Sequence, residues 1–207
     1  MPTTTITNHN QGTLAILRGL MPSRSLLADE GLRIAELQAT MLRRLLGVHG
    51  PTFPTEALDL PRVHISFDPD LPTSGMTFWD GSNWMILINA GEAPTRQRFS
   101  LLHEFKHIID HPIRHRLFGA DAAQDAPAAE RSADYFAACA LMPKLHVKRH
   151  WGQGPRTIRA MTRIFHVSPA AMKYRLDQLG LSHASPRCGR GHTTQHRTDP
   201  PTLEMTA

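Results

Sequence analysis

The sequence predicts an α+β fold, a small antiparallel sheet with helices gathered against it. Val63, Ile65 and Phe67 alternate with His64 and Ser66, the two-residue period of a half-buried strand. The apolar stretches 75–79 and 84–89 flank Asp80-Gly81-Ser82-Asn83, the turn chemistry of a β-hairpin. Around these segments, apolar residues recur at the three- and four-residue spacing of helices.

Residues 1–22 read as a loosely ordered lead-in. From Ser25 to Gly47 the residues Ile34, Leu37, Met41, Leu42 and Leu45 share a helical face, and Gly47 supplies a stop. The proline-containing stretch 51–61 is a connector leading into the strand and hairpin. Pro94 stands where the next helix begins and Pro112 ends it. After a loop rich in Ala, Asp and Pro, Asp125 and Pro127 open a further helix that Pro143 closes. Two short helices follow, about 156–165 and 169–179, joined at His166-Val167-Ser168. Ser168 is a good N-cap, Pro169 suits the first helical position and Gly180 a stop. Residues 182–207 are polar and rich in Pro, Gly, Thr and His, the composition of a disordered tail.

At 207 residues the chain suits one domain with a small appendix. The first residues are polar, without the basic flank and apolar run of a secretory leader. No stretch approaches the about 18–20 apolar residues of a membrane span, so a cytoplasmic protein with no membrane partner is expected. The two cysteines, Cys139 and Cys188, are read as unpaired thiols. The formal charge of +5 is uneven. After Pro143 the chain carries 11 Lys plus Arg against 3 acidic residues. Such a basic end suits nucleic acid, an acidic partner or a solvated helical surface.

His103-Glu104-Phe105-Lys106-His107 is an HExxH pattern. Residues four apart stack on one helix face, so His103 and His107 can reach a single zinc ion. Glu104 is then placed to take a proton from a zinc-bound water. So short a pattern needs context. Leu101, Leu102, Phe105, Ile108 and Ile109 supply it by giving the segment the apolar face of a packed helix. The alternative is a buried helix whose histidines only form hydrogen bonds.

A catalytic zinc needs a third protein ligand and leaves its fourth place to water. His111 lies one turn further along the same helix, too far down a straight axis. Glu130 is the better candidate. With Asp134 it forms a Glu-x-x-x-Asp stripe bordering the apolar arc of Ala129, Ala133, Phe136, Ala137 and Ala140. Two carboxylates four apart on a half-buried face repel each other and lose hydration. A cation on Glu130 and a ligand histidine, expected to be His103, hydrogen-bonded to Asp134 would remove both penalties. The alternative is a solvated acidic edge paired with Arg131.

The chain resembles the ImmA/IrrE family of metallopeptidases. Three blocks carry the resemblance: Arg98-Phe99-Ser100-Leu101-Leu102-His103-Glu104-Phe105-Lys106-His107; Glu130 through Ala133-Asp134-Tyr135-Phe136-Ala137-Ala138 to Leu141-Met142-Pro143; and Phe165-His166-Val167-Ser168-Pro169 to Arg175-Leu176 and Leu179-Gly180-Leu181. With the hairpin, they span roughly residues 25–181. The resemblance implies a minimal zincin-like fold in which the second block supplies the glutamate ligand to one zinc ion. It also implies a protein substrate, a helix-turn-helix repressor often encoded nearby on a mobile element or stress locus. The family pattern often has Gly where this chain has Lys106 and Asn where it has Asp134. The organisation expected is a metallopeptidase domain over 23–150 and a helix-turn-helix-like subdomain over 151–181, between the lead-in and the tail.

Peptide hydrolysis also needs a donor for the developing oxyanion. His146, His150 and Tyr174 are the candidates, and the sequence does not choose among them. In the C-terminal pair, Ile158, Met161, Phe165, Val167, Met172, Leu176 and Leu179 would form a small core ringed by Arg159, Arg163, Lys173 and Arg175. The second of these helices offers mainly Lys173, Tyr174, Asp177 and Gln178 for reading bases, which favours a protein-docking surface over DNA binding. Two rival readings remain: a DNA-binding regulator with a structural or vestigial zinc site, and an antirepressor that binds its partner without cutting it.

Overall fold

Trp84-Met85-Ile86-Leu87-Ile88 is an unbroken apolar run, and it forms the middle strand of the sheet. The strands are β1 (Val63–Asp68), β2 (Gly75–Trp79) and β3 (Trp84–Asn89), in the spatial order β1-β3-β2. The structure, a computed structural model, describes residues 12–22, 24, 26, 30–114, 122–154 and 156–181. The tail 182–207, with Cys188, and residues 1–11 of the lead-in lie outside the described residues.

The hairpin forms as the sequence predicts, with β2 antiparallel to β3 from Gly75↔Ile88 to Trp79↔Trp84. Its turn is closed by the Asp80 carboxylate, which accepts from Ser82 N at 2.7 Å and Asn83 N at 2.6 Å. Gly81 there has φ 104°, which a side chain would resist. The expected antiparallel sheet is nevertheless mixed, because β1 pairs parallel to β3, from Val63↔Trp84 to Asp68↔Asn89. The chain passes from β1 to the far edge, forms β2, and turns back into the centre. That places the most apolar strand where both its neighbours are strands.

One face of the sheet is covered by helix α3 (Pro94–Asp110), which buries Leu101, Leu102, Phe105, Ile108 and Ile109 with Ile86 and Ile88. Pro94 opens α3 as expected. Against it lies α4 (Ala122–Leu141), whose alanines let it pack between α3 and α2 (Glu30–Leu45). Helix α4 starts at Ala122, so Pro127 sits inside it rather than opening it.

Two helices depart from the expected order. Residues 13–19 of the supposed loose lead-in form α1 (Thr13–Gly19). Leu17 is fully buried, and Arg18 donates to the carbonyls of Ile108 (2.8 Å) and Ile109 (3.1 Å) near the end of α3. Residues 144–153, given no element above, form α5 (Lys144–Gln153). Its amphipathic signal is faint, since it buries Val147 but leaves Leu145 77% exposed.

The C-terminal pair is α6 (Ile158–Phe165) and α7 (Pro169–Gln178). Thr157 and Ser168 cap their N-termini, accepting from Ala160 N and Ala171 N at 3.2 Å each. Met161, Phe165, Val167, Met172 and Leu176 do not form a separate small core. They belong to the same buried cluster as Leu102, Phe105 and Phe136. The expected boundary at 150/151 falls inside α5. Among the described residues, no helix is long and apolar enough to cross a membrane.

Candidate metal centre

His103 and His107 stand four apart on α3, and their side chains reach the same place, with Nε2 atoms 3.1 Å apart. Helix α4 crosses there and brings Glu130 from 27 residues away. Glu130 Oε2 lies 3.1 Å from His103 Nε2, and Oε1 lies 3.4 Å from His107 Nε2. One turn further along α4, Asp134 Oδ1 lies 2.8 Å from His103 Nδ1.

This arrangement fits a cation better than it fits itself. The Asp134 carboxylate only accepts, so Nδ1 of His103 carries the proton it donates. In the neutral ring, Nε2 of His103 then presents a lone pair to Glu130 and to His107. Ligand atoms about 2.0–2.2 Å from a tetrahedral zinc stand roughly 3.3–3.5 Å apart. The three edges observed here, 3.1, 3.1 and 3.4 Å, are close to that triangle. The three residues are also the group whose ligand atoms lie within 4.8 Å of one another. Two imidazoles and one carboxylate are a donor set that suits zinc.

Charge within the site is uneven. Burial favours a neutral His103, but the Asp134 hydrogen bond and the charges of Asp134, Glu104 and Glu130 outweigh it and raise its pKa. Burial and the neighbouring His103 push His107 down to about 4. Glu104 is held above the usual carboxylate range, chiefly by burial. Its side chain lies against strand β2. A Cβ built on Gly75 would stand 3.0 Å from Glu104 Cγ and 3.3 Å from its Oε1. The absence of a side chain at residue 75 is therefore what admits Glu104 to this position. No motif in the sequence marks that contact.

These groups open into a cleft of about 540 Å³. Strand β2 forms one wall along its whole length, with Trp84 beside it. His103, Glu104, His107 and Glu130 form the other, and Asp110, His111 and Arg114 close one end. Strand β2 is an edge strand, paired only with β3.

The family model described as Peptidase_M78, IrrE N-terminal-like domain, matches residues 62–177, more than half of the chain. The chain belongs to this family. The matched span of the Peptidase_M78 domain runs from β1 into α7 and contains all four cleft residues named from the HExxH pattern and Glu130. The fold is also that of a solved structure titled Mycobacterium tuberculosis transcriptional regulator. The TM-score is 0.60 at 16% identity, over 84% of this chain and 53% of that one. The chain thus spans about half the length of that structure. No curated protein matches the sequence. The expected α+β, minimal zincin-like architecture, with its packed helices and C-terminal helical pair, is the one found.

The Peptidase_M78 cleft does not contain the three oxyanion donors expected from the sequence. His146 faces a different pocket beside Arg43, His150 packs edge-on against Phe165 at 5.9 Å, and Tyr174 lines a third hollow. None of the three lines the cleft, although the hollow of Tyr174 also contains Asp134, the partner of His103. The cleft's own N–H donors include His111 and Arg114. His111 packs against Trp84, ring centroids 4.8 Å apart, and the Arg114 charge helps to hold His107 low. His111 was legible as a nearby imidazole, but its place in the wall depends on the short 3-10 turn His111–Ile113 that Pro112 imposes.

Proposed function

We propose that this chain is a zinc-dependent endopeptidase that hydrolyses peptide bonds in a regulatory protein, a helix-turn-helix transcriptional repressor. The observation that carries the reading is the convergence of His103, His107 and Glu130 within 4.8 Å, beside Glu104, in a cleft walled by an open strand edge. A structural metal site has no use for Glu104.

His103, His107 and Glu130 would hold the ion, and Asp134 would fix the His103 ring with Nε2 facing it. Zinc bound there supplies a Lewis acid that acidifies water to a pKa of about 7 and polarises the scissile carbonyl. The Glu104 carboxylate takes the water's proton and later passes it to the leaving amine. Its burial, which raises its proton affinity, suits that exchange. An extended substrate adds to the free edge of β2, which sets its backbone across Glu104. His111 or Arg114, at the end of the cleft, donates to the developing oxyanion. The repressor as substrate rests on the family resemblance.

A DNA-binding regulator is the second reading, and the exposed Arg159, Arg163 and Lys173 on the C-terminal pair favour it. Lys173, however, is paired with Asp177 at 3.1 Å on the helix that would read bases.

Glu104→Gln separates the readings. Incubated with helix-turn-helix repressors encoded beside its gene, the parent should cut one of them, detected by mass spectrometry. The variant should bind one zinc per chain and cut none. If the variant cuts as fast as the parent, Glu104 is not the base. Derepression retained without cutting would favour a partner-binding antirepressor, and a mobility shift on DNA the second reading.

A further inference from the structure

Among the described residues, two buried arginines make no ion pair with a carboxylate. Arg43, on α2, is 5% exposed and donates Nη1 to the Ala140 carbonyl at 2.8 Å and Nη2 to the Gly50 carbonyl. Burial, with no opposing acid, pushes its pKa down to about 10. Arg175, on α7, is 1% exposed and donates to the Met142 carbonyl and the Gln178 amide oxygen, both at 3.1 Å. Its Nη2 is buried with no hydrogen-bond partner in bonding geometry, and the Tyr135 phenol and Cys139 thiol are its neighbours. Among the described residues, neither guanidinium has an ion-pair partner. Buried charges are ordinarily paired, because hydration lost on burial must be replaced.

Both arginines line one pocket of about 520 Å³ between α2, the end of α4 and the start of α5. It shares no lining residue with the metal-site cleft. Arg44, Lys144 and Lys148 add three exposed cations, and Glu36 is the one carboxylate among the described lining residues. The N-terminus of α5 opens there too. Val147 N is the first of its amides to bond back, to Pro143 O, and no side chain caps the turn before it. Those amides and the helix dipole favour an anion. Burial and the charge of Arg43 lower the pKa of His146, in the same wall, consistent with positive potential. Val48, Pro143 and Leu145 supply apolar walls, and the volume suits a small molecule rather than a bare ion.

We propose that this pocket binds a small organic phosphate. The phosphate sits on the α5 amides with Lys144 and Lys148 and gives Arg43 and Arg175 their missing counter-charge. The apolar or aromatic body lies on Val48 and Leu145.

The test is titration calorimetry of the full, zinc-loaded chain with adenosine diphosphate, inorganic pyrophosphate and adenosine. The expected result is saturable nucleotide binding, weaker pyrophosphate binding and none by adenosine. Lys144→Ala and Lys148→Ala, at exposed positions, should each weaken the nucleotide about tenfold, the loss of one charged hydrogen bond, with unchanged melting of the unliganded protein. Binding should survive in the Glu130→Ala variant, which tests whether the phosphate sits on the metal instead. No saturable binding, binding indifferent to both lysines, or binding lost with Glu130 would each overturn the proposal.

Discussion

At the scale of single residues, chemistry here depends on neighbours a few ångströms away. Gly75→Ala would place a methyl 3.0 Å from Glu104 Cγ and displace the carboxylate. Turnover should fall about ten- to a hundredfold with zinc content unchanged, the mark of a positioning residue. Asp134→Ala removes the acceptor for His103 Nδ1 and should weaken zinc about 10–100-fold, read by competition with a chelating dye. Cys139 is buried and free, and burial pushes its thiol up to about 11 from 9.0. The folded state therefore holds that proton more tightly than the unfolded chain does. Its contribution to stability is complete below pH 9 and is lost as pH rises to 11. The parent should lose about 2–3 kcal/mol more than Cys139→Ala across that window, by denaturant titration.

At the scale of elements, helix α3 carries a buried ion pair that reaches one turn beyond His103 and His107, to the end of the cleft they line. Lys106 and Asp110, four apart, are 1% and 3% exposed and pair directly. Lys106→Met leaves the Asp110 carboxylate buried without its cation and should cost about 3–5 kcal/mol in urea unfolding. The double variant Lys106→Met, Asp110→Leu should lose far less, because both charges go together. Helix α6 ends on His166 in the left-handed region, φ 53°. Glycine adopts that conformation without the clash of a Cβ. His166→Gly should therefore stabilise the chain by about 0.5–1 kcal/mol, seen as a raised melting temperature.

At the scale of the whole molecule, one buried cluster joins the sheet-covering helix to the C-terminal pair. Phe165, fully buried on α6, contributes to that shared core. Phe165→Ala should cost about 3–5 kcal/mol and lower a single cooperative transition rather than melt an appendage ahead of the rest. Calorimetry showing two transitions in the parent would divide the core at the boundary the sequence had implied.

What the sequence determined by itself was local. The His103–His107 spacing, the hairpin turn at Asp80-Gly81 and the Ser168 cap with Pro169 at the first helical position all lie within a few residues, where helix and turn geometry alone set distances. Glu130 was legible because a carboxylate stripe beside an apolar arc is costly without a partner. Tertiary structure alone decided the rest. The parallel placement of β1 and the approach of Gly75 to Glu104 join segments far apart in the chain. So do the docking of α1 on α3 through Arg18 and the placing of His146, His150 and Tyr174 outside the cleft. Such contacts follow from how faces pack, and a sequence period records which face is apolar but not what will lie against it.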